Sequence, residues 1–163
     1  MRTRACYVLA ALVVAVDQAS KFAVTRCLNY AEPLPLVPSL NFTLMHNTGA
    51  AFSMLHDAAG WQRWLFAALA LFASAFIVSS FNRIAPSQRW LRTALALILG
   101  GALGNLWDRL RFGYVVDFID FYIGDWHFAA FNVADSAITV GAAMLVVHSL
   151  FFGDGRSSPS RAR

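Results

Sequence analysis

Two aspartates stand where charge is costly: Asp117 in Val115-Val116-Asp117-Phe118, and Asp135 in Phe131-Asn132-Val133-Ala134-Asp135. Both have apolar neighbours, and neither has a basic residue beside it. An ionisable group at a membrane boundary marks a functional site by default. Two carboxyls of like sign, once brought together, share one proton and can activate a water against a peptide bond. The residue types therefore point to acid–base proteolysis at a membrane edge.

Such a pair titrates as a unit. Asp135 falls in the first turn of a helix, with Asn132 three residues earlier as its N-cap, so the helix dipole favours its anion and leaves the proton more on Asp117. The ionised member takes a proton from the attacking water. The protonated member holds the scissile carbonyl and then helps protonate the leaving amine. Plainer readings exist: a first-turn acid suits any helix, and Asp117 could be an outward surface acid, although it interrupts a Val-Val-x-Phe-Ile run in which an acid has no packing value. Asp120 reads as exposed and Asp125 as a turn residue.

Further polar groups lie in apolar settings: Asn47 in His46-Asn47-Thr48-Gly49-Ala50-Ala51-Phe52, Asn105 and Arg109 near the end of the third hydrophobic segment, and Asn132. An asparagine offers two donors and an acceptor, which suits holding an extended peptide. Arg109 can fork onto a carboxylate or carbonyls, with a surface pair to Asp108 as the alternative. Gly49, Ala50 and Ala51 leave room for a substrate chain. Asp17 and Lys21, spaced i, i+4, can pair and fix a helix end or support the site.

The elements that must position these groups are hydrophobic. Of 163 residues, 58% are hydrophobic and 13% charged, about half the charged fraction of a soluble domain, and the mean hydropathy is +0.54. This is a membrane composition. The net charge of +4 comes from scattered arginines and forms no stripe for nucleic acid. Cys6 and Cys27 on one helix would lie about 30 Å apart, too far for a disulfide. The four histidines show no metal-ligand spacing, so neither a metal nor a cofactor is expected.

Four spans are expected, at about 5–25, 61–81, 93–107 and 134–152, within a single domain over 1–153, followed by a disordered tail over 154–163. The first reads as a retained anchor, because no small-x-small cleavage site follows its apolar run. Gly100 and Gly104 form a small-xxx-small face for close helix packing. Arg2, Arg4, Arg83, Arg89, Arg92, Arg156, Arg161 and Arg163 gather on one side. The positive-inside rule then puts both termini in the cytoplasm and both aspartates outside. The outer loops, 26–60 and 108–133, carry alternating or β-rich runs at Leu40–Leu44 and Tyr114–Tyr122, a turn at Gly124-Asp125 and a return over Trp126–Phe131. A small sheet at the membrane surface is expected.

Taken in order, five motifs resemble lipoprotein signal peptidase, the type II signal peptidase family of bacteria: Asp17-Gln18-Ala19-Ser20-Lys21; Asn47-Thr48-Gly49-Ala50-Ala51-Phe52; Gly100-Gly101-Ala102-Leu103-Gly104-Asn105-Leu106-Trp107-Asp108-Arg109; Val115-Val116-Asp117-Phe118; and Phe131-Asn132-Val133-Ala134-Asp135. The resemblance runs from about Leu9 to Phe152. It implies a membrane α-helical fold with four transmembrane helices, a small periplasmic β-cradle and a short periplasmic helix in the first outer loop. It implies an inner-membrane aspartic endopeptidase acting on diacylglyceryl-modified prolipoproteins, cutting before the lipidated cysteine and blocked by globomycin-type cyclic peptides. Asp117 and Asp135 match the catalytic dyad. Asn47, Gly49, Asn105, Arg109 and Asn132 match residues lining the site, and Asp17, Lys21, Gly101, Gly104, Asp108 and Ala134 match its structural support. A monomer in contact with membrane lipid is expected.

Two other classes would use intramembrane acids differently. A proton-relay or transport subunit distributes them through the membrane depth, whereas Asp17, Asp108, Asp117 and Asp135 all gather toward one side. A non-catalytic scaffold leaves the two apolar-flanked aspartates and the asparagines without a purpose.

Overall fold

The structure is a computed structural model and describes residues 1–49 and 60–152. Among the described residues the elements run in the order α1 (Thr3–Cys27), β1 (Pro33–Val37), β2 (Leu40–Asn47), α2 (Trp61–Phe81), α3 (Arg89–Phe112), β3 (Val115–Ile123), β4 (Trp126–His127) and α4 (Val133–Phe152). By length and composition α1, α2 and α4 are apolar enough to cross a membrane. The chain is a membrane protein with an antiparallel sheet.

The third helix differs from its expected 93–107. It begins at Arg89 and continues through Asp108, Arg109 and Arg111 to Phe112, so the second outer loop starts five residues later than the expected 108. The reason is packing: α3 contacts α1, α2 and α4 and buries twelve residues along its length. A charged residue in such a helix can face protein and find polar partners there, which hydropathy alone does not register. Gly113, at φ +88, ends the helix, and its N–H donates to the Arg109 carbonyl at 3.1 Å.

Arg92, counted above with the charges of an inner loop, is instead only 1% exposed within α3. Its guanidinium donates to the Phe81 and Ile84 carbonyls at 3.0 and 2.5 Å, and to Thr3 Oγ1 at 2.6 Å. A cation at the carbonyl-rich end of α2 is electrostatically favourable. Arg92 therefore ties the start of α1 to the end of α2. Cys6 and Cys27 sit on the same helix as free thiols, one buried and one exposed.

The four strands form one antiparallel sheet in the order β1-β2-β3-β4. Seven of the nine residues of β3 are Val, Ile, Phe or Tyr, whose branched or aromatic side chains suit a half-buried pleated surface, and the other two are Asp117 and Asp120. It turns at Gly124-Asp125, where Gly124 takes φ +59, into the short β4. Phe131 returns to bridge Ile119. The alternating run at Leu40–Leu44 is the first part of β2, and the proline-rich stretch before it pairs as β1. The short helix expected in the first outer loop is not among the described residues of that loop. Ala50, Ala51, Phe52 and the tail also lie outside the described residues.

Candidate active site

β2 and β3 pair with Met45 opposite Asp117 and Asn47 opposite Val115. This register makes Asn47 a diagonal neighbour of Asp117 on one face of the sheet. Asn47 Nδ2 donates to Asp117 Oδ2 at 2.9 Å. The Gly49 N–H donates to Asn47 Oδ1 at 2.8 Å, which fixes which end of the amide faces the carboxylate. Gly49 has φ +97, and a Cβ there would meet the Phe66 ring at 2.6 Å. Its lack of a side chain lets the turn press against α2.

At the other end of the site, Asn132 caps α4. Its Oδ1 accepts from the Asp135 N–H at 2.9 Å, and its own N–H donates to Asp135 Oδ2 at 3.3 Å. This is a reciprocal box, with Asn132 in place of the usual serine or threonine and Asp135 in place of the usual glutamate or glutamine. Asn132 is fully buried, and its Nδ2 lies 2.6 Å from Asp117 Oδ1, 3.1 Å from Asn105 Oδ1 and 3.3 Å from the Val116 carbonyl. Asn105 in turn donates through Nδ2 to Asp135 Oδ1 at 2.7 Å. A continuous chain, Asp117–Asn132–Asn105–Asp135, therefore joins the two aspartates.

Beneath it lies an ion cluster. Lys21 Nζ is 2.8 Å from both Asp17 Oδ2 and Asp108 Oδ2, and 3.0 Å from Asn105 Oδ1. Asp17, Lys21 and Asp108 are each at most 3% exposed. Each carboxylate also ties a backbone amide: Asp17 Oδ1 takes the Ala134 N–H at 2.9 Å, and Asp108 Oδ2 takes the Val116 N–H at 3.2 Å. The residues that follow these two amides, Asp135 and Asp117, are thereby anchored to α1 and α3 respectively. Asp108 accordingly pairs with Lys21 and not with Arg109, contrary to the surface-pair alternative.

Close approach of helices makes this possible. A Cβ at Gly104 would lie 2.7 Å from Asp17 Oδ2, and one at Gly101 would collide with the Ala134 carbonyl and with Ile138 Cγ1 at 2.6 Å. Gly100 faces α1 instead, against Val13 and Ala10. The three glycines serve three different contacts.

Arg109 makes no ion pair among the described residues. Its Nη1 donates to the Asn105 carbonyl at 3.4 Å, its guanidinium lies over the Phe66 ring at 5.2 Å, and it is within electrostatic reach of Asp135, Asp117 and Asp108. Burial, and then the neighbouring Asp135 charge, push the Asp117 carboxyl up to about 7, against the opposing hydrogen bonds from Asn47 and Asn132. Asp117 is 1% exposed, whereas Asp135 is half-buried and Asn47 exposed, so the cluster opens on that side. Such a pair can hold one proton near neutral pH.

The family profile described as signal peptidase (SPase) II matches residues 9–151. The chain belongs to the signal peptidase II family. It is 51% identical to the lipoprotein signal peptidase of Coxiella burnetii over 139 residues, 85% of each chain. It is 49% identical to that of Acinetobacter baumannii over 154 residues, 94% of this chain and 88% of the relative. Among solved structures, one titled as a bacterial membrane enzyme solved by the in meso method at 2.3 Å superimposes with a TM-score of 0.83, at 28% identity over 98% of this chain and 96% of that one. A second such structure, at 1.9 Å, gives a TM-score of 0.81 at 30% identity, covering 91% and 94%. As a member of the signal peptidase II family the chain is a peptidase, hence a hydrolase, and its bacterial relatives fit an inner-membrane setting.

Two buried polar groupings, one in the site and one in the sheet, were not read from the sequence. Gln18 stands in the first motif but had no role there. Its Nε2 lies 2.9 Å from Asp108 Oδ1, 3.1 Å from Asp17 Oδ2 and 3.3 Å from the Gly104 carbonyl. Its principal partner is 90 residues away, and no local pattern encodes that. Asp120, expected to be exposed, is 7% exposed and accepts from Asn41 at 3.3 Å, Thr43 at 3.1 Å and His127 at 2.8 Å. The alternation of β2 could have indicated it, since Asn41 and Thr43 fall on one face.

Proposed function

We propose that this chain is an aspartic endopeptidase that removes signal peptides from diacylglyceryl-modified prolipoproteins, cutting the bond just before the lipidated cysteine. The observation that carries the mechanism is the chain of asparagines joining Asp117 to Asp135 in a member of the signal peptidase II family. Asp135 is the anion of the pair, held by Asn105 and by the Asn132 N–H. Asp117 is the acid, its proton retained up to about pH 7 by burial and by Asp135.

Hydrolysis then needs no covalent intermediate. Asp135 takes a proton from a water as that water's oxygen attacks the scissile carbonyl. Asp117 donates a hydrogen bond to the carbonyl oxygen, where negative charge develops. Collapse of the tetrahedral species breaks the C–N bond and passes a proton to the leaving amine. Asn47, Gly49 and Arg109, at the open side, hold the peptide. Asn105 and Asn132 keep the carboxyls oriented, and Asp17, Lys21, Asp108, Gly101, Gly104 and Ala134 support them.

We read α3 as a fourth transmembrane helix, because it packs against each of the other three, and place both termini in the cytoplasm, with the sheet and dyad at the periplasmic surface. The acyl chains of the substrate keep it in the bilayer at about 0.8 kcal/mol per buried methylene. Its cleavage site is thereby held at the depth of the dyad. The unit acts as a monomer, and globomycin-type peptides would compete for the same carboxyls.

The deciding experiment reconstitutes the protein with a diacylglyceryl-modified prolipoprotein beside Asp117→Asn and Asp135→Asn. Cleavage before the modified cysteine by the parent, with both folded variants inert, is the expected result. Near-parent activity in either variant would remove that residue from the mechanism, and a folded parent that does not cleave would remove the substrate.

A further inference from the structure

Between α1 and α3, lined by neither Asp117 nor Asp135, lies a cavity of about 920 Å³. That is at the upper end of the roughly 300–1,000 Å³ of small-molecule pockets. Val116, not Asp117, lines it, and the two alternate across β3. The cavity therefore does not open onto the scissile bond. Along α1 it runs from Ala11 to Thr25, about 20 Å at 1.5 Å per residue, against about 15 Å for the hydrocarbon of one leaflet. Its walls are overwhelmingly apolar, with Phe22, Trp107 and Phe112 among them.

The rim toward the sheet is cationic and aromatic. Arg111 lines the cavity with its guanidinium 5.0 Å over the Phe112 ring, and Arg26 lies 4.4 Å over Phe22. Both arginines are exposed, and neither forms an ion pair among the described residues. Tyr114 continues the aromatic rim, stacked on His46 at 4.0 Å and on Phe112 at 5.8 Å. Two exposed guanidinium groups, each over an aromatic ring beside a long apolar groove, match the phosphate and the acyl chain of a lipid.

We propose that this groove is a binding site for one anionic phospholipid of the leaflet nearest the sheet, with an acyl chain between α1 and α3 and the phosphate at Arg26 and Arg111. Charge complementarity selects this occupant over a zwitterionic lipid. Lys21, Asp108 and Gln18 form part of the groove's floor. A seated acyl chain covers that edge of the ion cluster and keeps water from the Lys21 pairs.

The test is lipid retention. The purified full chain is exchanged into mixed micelles holding equal amounts of phosphatidylglycerol and phosphatidylcholine with identical acyl chains, and bound lipid is counted by native mass spectrometry. One phosphatidylglycerol retained per protein is expected, with the charge-removing pair Arg26→Gln and Arg111→Gln lowering its retention at least tenfold. Arg26→Lys with Arg111→Lys should keep most of it. Ala15→Phe, which fills the groove, should exclude both lipids, and circular dichroism checks that each variant folds. Equal retention of the two lipids would overturn the headgroup assignment. Retention unchanged in the charge-removed and groove-filled variants would place the lipid elsewhere. Displacement of the lipid, one for one, by a diacylglyceryl lipopeptide would make the groove a substrate site and overturn the proposal as stated.

Discussion

Asn105 and Asn132 meet amide to amide, Asn132 Nδ2 lying 3.1 Å from Asn105 Oδ1, and this contact is the join between the two aspartates. Neither amide can turn over without loss. Asn105 Oδ1 faces the Lys21 ammonium, so its nitrogen must face Asp135. Asn132 Oδ1 caps the Asp135 amide, so its nitrogen must face Asp117. Charge at one end and a helix cap at the other fix the polarity of the whole chain.

Asn105→Ala removes both a donor to Asp135 and an acceptor for Lys21. A hydrogen bond to a charged group contributes about 1.5–3 kcal/mol, so kcat should fall roughly 10- to 100-fold. KM should change little, because the proposed mechanism holds the substrate from the Asn47 side. Steady-state cleavage of a lipidated substrate separates the two. A rise in KM alone would make Asn105 a binding residue instead.

The Asp117 carboxyl at about 7 sets a pH dependence. In the proposed mechanism its proton is needed at the scissile carbonyl, so activity should fall as pH rises through about 7, approaching tenfold per unit. Stability follows the same group. Its folded value lies above the unfolded 3.8, so the stabilisation from its proton is complete below about pH 4 and lost as pH rises through about 7. Asp117→Asn carries no such charge. Its melting temperature in detergent should therefore rise relative to the parent between pH 4 and 7 and then run parallel. An activity profile flat to pH 9 would contradict the acid role of Asp117.

Much of this was legible in the sequence because it is local. Asn132 and Asp135 are three residues apart and declare a helix start, and Asp17 and Lys21 declare a pair on one helical face. Gly124-Asp125 declares a turn between β-rich runs. The failures are those of tertiary context. Nothing near Asp108 indicates that Lys21 is its partner, and its neighbour Arg109 suggested a surface pair. The charges of Arg89, Arg92, Asp108, Arg109 and Arg111 shortened the third helix on paper, whereas in the fold α3 lies among the other helices and Arg92 and Asp108 are buried.

Asp120 should prove a stabilising residue. Burial raises its carboxyl, but hydrogen bonds from His127, Asn41 and Thr43 outweigh this and hold it below the usual carboxylate range. A depressed value means its contribution is present above the unfolded pKa and lost as pH falls through the folded one. Asp120→Ala leaves buried Asn41 and Thr43 without their acceptor, at about 1–3 kcal/mol. Chemical unfolding at pH 7 and again near pH 3 checks this, and the difference between variant and parent should shrink at the lower pH.

Lys21 separates stability from catalysis. Lys21→Met leaves Asp17 and Asp108 buried without their cation, and breaking a buried pair by removing one partner costs about 3–5 kcal/mol. Adding Asp17→Asn and Asp108→Asn removes those charges while keeping acceptors for the Ala134 and Val116 amides. The triple variant should regain most of the lost melting temperature. Its activity should stay low, because no ammonium then polarises Asn105 from behind Asp135. Thermal unfolding and cleavage measured on the same preparations distinguish the two effects. Full recovery of both would reduce Lys21 to a folding residue, whereas recovery of stability alone makes it the group that orients the dyad through Asn105.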